Sequence, residues 1–308
     1  MKNNSVKAII CAVLCNVIWG FSFMFTKIGL DVAPNSSVLL SHRFLIATLF
    51  LLVLLLCGKG KISFKGKTLW PILLMLLLQV VYRFLETYAL LHSNTTISGL
   101  VLAVVPIVTI GTGALLLREY PTRRQALFCF LPVTGVILMT VSGQDLGVLK
   151  PLGMILLLFT LVASALYKTV NRRAAQEYTT FERSFLMLAN AALVFTLTGL
   201  GSIGWDLKTY VAPLLDIKYL VTVLILGLLC SVTAQLLNNY ATGKMSVFKM
   251  SSFGALSTLC SVFAGVVFLK EPMDWILLLG AVLILVGIQQ VTKPDKKTAD
   301  HYEPPLVK

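Results

Sequence analysis

Ten apolar stretches, each close to the length of a bilayer crossing, dominate this sequence. They run over 6–27, 37–57, 69–91, 96–117, 125–142, 152–170, 184–203, 217–241, 247–269 and 275–292. A helix needs about 20 mostly apolar residues to cross the hydrocarbon layer. Within that layer every backbone polar group must be satisfied internally. Ten such stretches in 308 residues leave only short connections, which carry Lys, Arg, Asp, Gly or Pro. No soluble domain fits between them. Spans 3 and 4 are separated only by His92-Ser93-Asn94-Thr95, a tight hairpin, and span 5 is short and contains Pro132. Span 1 holds Trp19, Phe21, Phe23 and Phe25 with no small-residue cleavage site after them, so it reads as a retained span rather than a signal peptide.

Charge gives the orientation. Charged residues make up 13% of the chain, yet the formal net charge is +13; soluble domains carry about 25%. So sparse a charge excludes a basic nucleic-acid binder and leaves no nucleic-acid partner. Lys and Arg gather in the cytoplasmic loops of membrane proteins. With the N-terminus inside, sixteen Lys and Arg fall in cytoplasmic segments and four in outside loops. The bias places both termini in the cytoplasm of a multi-pass protein of the plasma membrane, the inner membrane of a bacterial cell. The polar tail 293–308 is expected to be disordered.

A repeat lies beneath the ten spans. A shift of 152 residues lays spans 3–5 on spans 8–10. It matches Leu117-Arg118-Glu119 with Leu269-Lys270-Glu271, Gly113 with Gly265, Gly135 with Gly287, and Tyr88-Ala89 with Tyr240-Ala241. Residues 1–148 and 149–292 then form two halves of five spans each. Five is odd, so the halves lie in opposite orientations. The loop charges agree: basic Arg118, Arg123 and Arg124 follow span 4, whereas only Lys270 follows span 9. The predicted fold is all-α integral membrane, ten transmembrane helices as two inverted five-helix repeats. In secondary transporters of that kind the substrate site lies near the midplane between the halves.

Several short motifs carry a family resemblance. They are Trp19-Gly20-Phe21-Ser22-Phe23 with Lys27, Pro34 followed by Ser41-His42-Arg43-Phe44, Pro106, Leu117-Arg118-Glu119, Gly135, Leu269-Lys270-Glu271-Pro272 and Gly287. In this order across a 5+5 chain, the sequence resembles the EamA-type ten-helix members of the drug/metabolite transporter superfamily over nearly its whole length. The resemblance implies a carrier of small organic solutes working by alternating access, with a central cavity lined chiefly by spans 1, 3, 4, 6, 8 and 9. Thr258 stands where the repeat would place a second Pro106, so span 9 has no proline break.

Polar residues inside spans nominate the site, because an ionisable group there costs about 2.5–3.5 kcal/mol on insertion scales. In span 3, Gln79, Arg83 and Glu86 fall on one helix face, with Tyr82 beside them. Arg83 suits a carboxylate or phosphate, since its planar fork donates two parallel hydrogen bonds. Glu86 suits an amine or a coupling proton. The two can equally pair with each other and only lock helices. The repeat shift sends Arg83 to Gln235 and Glu86 to Asn238, with Asn239 next. These form a second polar patch, for a cavity or for interhelical hydrogen bonds. Trp19 and Phe23 share a face and can make an aromatic wall for a cationic or apolar solute, or simply pack. Tyr167 is a further lining candidate. Arg43 reads as snorkelling to the interface, Lys168 as an interface residue with Arg172 and Arg173, and Glu182–Arg183 as an interfacial pair.

No other chemistry is visible. Gly199-x-Gly201-x-x-Gly204 ends an apolar span with no strand before it, so it is not a dinucleotide loop. There is no phosphate-binding G-x-x-x-x-G-K-[ST], no H-E-x-x-H and no C-x-x-C, and His42, His92 and His301 are scattered. No cofactor, metal or enzymatic activity is expected. The reading is a secondary active transporter of a small organic solute (an amino acid, related metabolite or drug) in a lipid bilayer, with a coupling proton or an exchanged solute left open. The alternatives are a channel and a membrane-embedded enzyme acting on lipid-linked substrates.

Overall fold

A computed structural model describes residues 2–92, 104–141, 151–268 and 275–293. Every regular element among them is helical: α1 (Lys2–Leu30), α2 (Ser36–Leu56), α3 (Trp70–His92), α4 (Val105–Leu117), α5 (Arg123–Phe128), α6 (Phe130–Val141), α7 (Pro151–Ala174), α8 (Thr180–Ser202), α9 (Leu207–Val211), α10 (Ile217–Lys244), α11 (Val247–Ser252), α12 (Gly254–Phe268) and α13 (Trp275–Thr292). A 3-10 turn, Ala212–Leu215, joins α9 to α10, and α10 winds as a π-helix over Ile225–Thr233.

Five helices are long and apolar enough to cross a membrane: α1 from Ser5, α2, α7, α8 and α10. Trp70–Leu85 of α3, α4, and Leu278–Thr292 of α13 are apolar but shorter. Exposed apolar side chains such as Leu49, Val53 and Leu56 on α2 and Leu193 and Leu197 on α8 face outward. Lipid is the environment that accepts such surfaces.

The sequence reading differs from the structure in several places. The expected fifth span is two helices, because Pro132 has no N–H to offer the Phe128 carbonyl and its ring crowds that carbonyl. Span 9 is interrupted at Phe253 without a proline. There Gly254 lowers helix propensity, and Ser257 turns its hydroxyl onto the Gly254 carbonyl (2.7 Å). The outside loop before α10 is not a bare connection; α9 and its 3-10 turn bury Tyr210. Only part of the expected fourth span, the hairpin after His92 not included, lies within the described residues. Glu271 and the tail from 294 lie outside them.

Local chemistry sets the helix ends. Thr122 with Gln125, and Thr179 with Glu182, form reciprocal capping boxes at the starts of α5 and α8. At the end of α4, Arg118 adopts a left-handed conformation (φ 56°) and Glu119 N donates back to Gly113 O at 3.1 Å. That reversal throws the Glu119 side chain across the bundle.

Packing follows the repeat. α1 lies against α10 and α12, and α3 and α4 lie against α7. α2 lies against α8, and α6 against α13. Exchanging the two halves maps this set of contacts onto itself. Span 3 on span 6 answers span 8 on span 1, and span 4 on span 6 answers span 9 on span 1. The pairs 2–7 and 5–10 map to themselves. The glycines show why the repeat keeps them. A Cβ on Gly135 would lie 2.6 Å from Gly280 O, and one on Gly287 would run into the Pro132 ring. With hydrocarbon outside, close approach of small residues is the main source of helix attraction.

Candidate functional site

Between the halves lies a cavity of about 610 Å³, within the size range of small-molecule sites. Among the described residues, α1 lines it with Asn16, Trp19, Ser22 and Thr26, and α2 with Ser37, Arg43 and Phe44. α3 adds Gln79, Tyr82 and Arg83, and α7 adds Tyr167, Lys168 and Asn171. α8 adds Asn190 and Phe195, α10 adds Ser231, Gln235 and Asn238, and α11 and α12 close it with Ser251 and Ser257. Spans 2 and 7 therefore contribute walls that the family resemblance did not imply. The described part of span 4 contributes none; it packs on α7, with a Thr112–Thr169 hydroxyl contact of 2.7 Å.

The structure brings most of the sequence candidates together. Trp19, Gln79, Tyr82, Arg83, Tyr167, Gln235 and Asn238 all face the cavity. The Tyr82 and Tyr167 rings lie 5.2 Å apart, and the Arg83 guanidinium stacks 4.9 Å over Tyr82. Gln79 Nε2 donates to Met187 O (3.3 Å) and Gln235 Nε2 approaches Met187 Sδ (3.5 Å), so side chains from both halves converge on one turn of α8. Gln79 Oε1 is buried with no hydrogen-bond partner among the described residues. Asn239 does not face the cavity. It is fully buried, accepting from Asn171 Nδ2 (3.1 Å) and donating to Ser184 Oγ (2.9 Å). The side chains of Phe23 and Glu86 lie outside the described residues.

Three basic residues are placed differently from the sequence reading. Arg43 does not snorkel. Its Nε donates to Ser231 Oγ at 2.6 Å and its Nη2 to Cys230 O at 3.3 Å, pinning α2 to the π segment. Trp19 Nε1 donates to the same carbonyl (3.0 Å). The neighbouring motif residues hold other elements: Ser41 meets Thr196 (2.8 Å) and Tyr210, and His42 Nδ1 meets the Tyr219 hydroxyl (2.9 Å). Lys168 faces the cavity rather than the interface. Arg183 does not pair with Glu182. It is 1% exposed, bonded to Asn171 Oδ1 (2.7 Å) and to Asn239 O.

One end of the cavity is latched. Glu119 Oε1 accepts from Arg172 Nε (2.9 Å) and its Oε2 from Val247 N (2.8 Å). Arg172 Nη1 also donates to the carbonyls of Thr242 (3.2 Å) and Gly243 (2.7 Å), the last carbonyls of α10. A carboxylate from the first half thereby ties together the ends of three helices of the second, α7, α10 and α11. Beside it, Lys67 pairs with Glu182 (2.6 Å), which also accepts from Ser63 N (2.8 Å). In the adjoining loop, hydrogen bonds from Thr68 hold the Glu177 carboxyl below its ordinary range. Asn171, Thr242 and Val247 form the cavity floor and belong to this cluster of contacts. At the opposite end the lining reaches Thr26, Ser37 and Thr198 near the tips of α1, α2 and α8.

Comparison with known proteins agrees with this architecture. The model of the EamA-like transporter family matches twice, over residues 6–141 and 151–292. The uncharacterized transporter YcxC of Bacillus subtilis is 33% identical over 293 residues, covering 94% of this chain and 93% of its own. An uncharacterized transporter of Archaeoglobus fulgidus is 23% identical over 292 residues, 94% of this chain and 99% of its own. A crystal structure at 16% identity shares the fold, with a TM-score of 0.74 over 92% of this chain and 98% of that one. The chain is a multi-pass membrane protein and a member of the EamA-like transporter family.

Proposed function

We propose that this protein is a secondary active transporter that carries a small organic solute by alternating access, with the solute bound in the cavity between two inverted five-helix halves. The observation that carries this reading is the cavity itself: a chamber between the halves, lined by apolar, aromatic and polar side chains of both, with one end closed by contacts that cross from one half to the other. A channel would need a continuous path. A latch of breakable hydrogen bonds and an ion pair at one end suits a two-state element.

Ten spans, with the first half at 1–148 and the second at 149–292, give the parity that inversion requires. The self-mapping contact set supports a two-fold relation between the halves. On the loop-charge orientation, both termini are cytoplasmic in the plasma membrane and the latched end is the cytoplasmic one. The present conformation is then the one whose cavity turns outward. Trp19, Gln79, Tyr82, Arg83, Tyr167, Gln235 and Asn238 are the proposed solute contacts, and an amino acid, related metabolite or drug fits their mix of aromatic and polar groups.

Reconstitution into proteoliposomes tests the reading. Flux should saturate with solute concentration, and preloading with unlabelled solute should accelerate exchange. Arg83→Gln is expected to abolish that flux while the protein remains at normal abundance in the membrane. Flux that rises linearly without saturation would favour a channel, and wild-type flux in the Arg83 variant would remove Arg83 from the site.

A further inference from the structure

A second groove lies apart from the central chamber, on the outer side of the bundle. It encloses about 430 Å³, within the range of small-molecule sites. α10 lies against both α1 and α8, and these three helices line the groove. Its described lining changes character along its length. Ile10 and Cys11 of α1 and Leu236 and Leu237 of α10 are apolar; Lys7, Thr180 and Tyr240 carry the polar groups. Lys7 stands about one turn before Ile10 and Cys11, Thr180 opens α8, and Tyr240 stands about one turn after Leu236 and Leu237. All three polar residues therefore sit at one end, the end where Arg172 holds the Thr242 and Gly243 carbonyls. Beside the groove on α1, Val6, Ile10 and Leu14 are exposed at a spacing of four residues, so this flank faces hydrocarbon. Lys7 is exposed, and no ion pair joins it to a described carboxylate. The acid of the neighbouring helix end, Glu182, is 2% exposed and taken up by Lys67 and Ser63 N.

We infer that this groove is a binding site for an anionic phospholipid. One acyl chain runs along Ile10, Cys11, Leu236 and Leu237, and the phosphate lies at the end marked by Lys7, Thr180 and Tyr240. The order of polarity along the groove is that of the lipid itself: apolar within the hydrocarbon layer, basic and hydroxyl-bearing at its edge. An ammonium draws a phosphate as a compact charge, and hydroxyls can donate to its oxygens. Basic residues at a membrane surface attract anionic lipids in general; a groove for the chain turns that attraction into a site. A phosphocholine headgroup brings its own cation to Lys7 and is held less well. The polar tail 294–308, with Lys296 and Lys297, matches neither the apolar floor nor the basic mouth. Such a site is independent of what the central cavity carries. Lys59 and Lys61, exposed in the loop after α2, line no part of the groove and serve as the comparison.

The test is native mass spectrometry of the purified full-length protein, stripped of lipid in detergent and titrated with three lipids that share dioleoyl chains: phosphatidylglycerol, phosphatidylcholine and diacylglycerol. The first phosphatidylglycerol should bind at least about tenfold more tightly than either of the others. Lys7→Gln should abolish that preference, Lys7→Arg should keep it, and the double variant Lys59→Gln with Lys61→Gln should keep it too. Leu237→Trp fills the groove and should weaken the first phosphatidylglycerol at least about tenfold. Dihexanoyl phosphatidylglycerol, whose chains are too short to fill the groove, should bind wild type at least about tenfold more weakly than the dioleoyl lipid; this arm stands even if Leu237→Trp fails to fold. In membranes, p-benzoylphenylalanine placed at Leu237 should cross-link to phospholipid. The site is refuted if phosphatidylglycerol binds no more tightly than phosphatidylcholine, or if Lys7→Gln leaves the preference intact. It is refuted equally if the Lys59 and Lys61 variant loses as much as Lys7→Gln, which would mean diffuse surface charge, or if long and short chains bind alike. A folded Leu237→Trp protein with wild-type affinity, or a cross-link to residues 294–308 or to a second copy of the chain, would also overturn it.

Discussion

Replacing Glu119 with alanine is expected to lower the stability of the protein by about 3–5 kcal/mol, the usual consequence of leaving a buried charge without its partner. Arg172, whose side chain is 5% exposed, would keep its two carbonyl contacts and lose its only described carboxylate. Val247 N would lose its acceptor at the start of α11. Thermal melting in detergent, followed by loss of the monodisperse peak on size exclusion, measures the effect. Glu119→Gln keeps an oxygen for Val247 and should fall between wild type and alanine. The double variant Glu119→Leu with Arg172→Met removes both charges and should melt above Glu119→Ala, because no buried cation is stranded. It should still melt below wild type, since the carbonyls of Thr242 and Gly243 lose their donor. A Glu119→Ala protein that melts like wild type would show the latch to be inert.

The second large effect is steric. Gly135→Leu and Gly287→Leu are each expected to destabilise by about 3 kcal/mol or more, the upper range for overpacking. Both lie where α6 crosses α13. At Gly135 the new Cβ meets the Gly280 carbonyl at 2.6 Å and Ile284 Cγ1 at 2.7 Å; at Gly287 it meets the rigid ring of Pro132. Neither a backbone carbonyl nor a proline ring can rotate away, so the helices must separate. Gly111→Ala is the control. Nothing lies within 4 Å of a Cβ there, and the substitution removes a glycine from a helix interior, so a gain of about 0.5–1 kcal/mol is expected. Melting temperatures of the three variants decide the matter. Equal losses at all three would mean that the measurement senses glycine rather than the crossing.

What the sequence could reveal depended on whether position along a span fixes depth in the bundle. Where the signal was periodicity or repetition it was reliable. The paired glycines 135 and 287 stand at reciprocal contacts, and the polar face Gln79–Arg83 reappears in the cavity wall. Charges near span ends were read less well. Arg43, Lys168, Arg172 and Arg183 lie close enough to an interface by count to snorkel, yet in the structure they turn inward. What decides this is which helix stands beside them, and no single-chain pattern contains that. Ser41-His42-Arg43 could not be divided from sequence either: three consecutive residues point to α8 and α9, to α10, and to the cavity-facing π segment. Glu119 was visible as a repeat marker. Its role as an acceptor for Arg172 and Val247 depends on the left-handed turn at Arg118, which residue type does not announce.

The π segment of α10 has an effect on direction as well as on packing. Residues of α3 and α10 correspond one for one at the 152-residue offset: Gln79 to Ser231, Arg83 to Gln235. An α-helix turns about 100° per residue, and a π coil, bonded five residues apart, turns through less. Over Ile225–Thr233 the second strand of the alignment therefore falls behind the first in azimuth. Paired residues are thus equivalent in order without being equivalent in bearing. If the halves exchange roles during a cycle, the chamber offered to one side of the bilayer is not the mirror of the chamber offered to the other. Its solute would be held with unequal grip on the two faces. In such a cycle microscopic reversibility would leave the gradient in sole charge of net flow, and the winding of nine residues would bear on the concentration at which each face saturates.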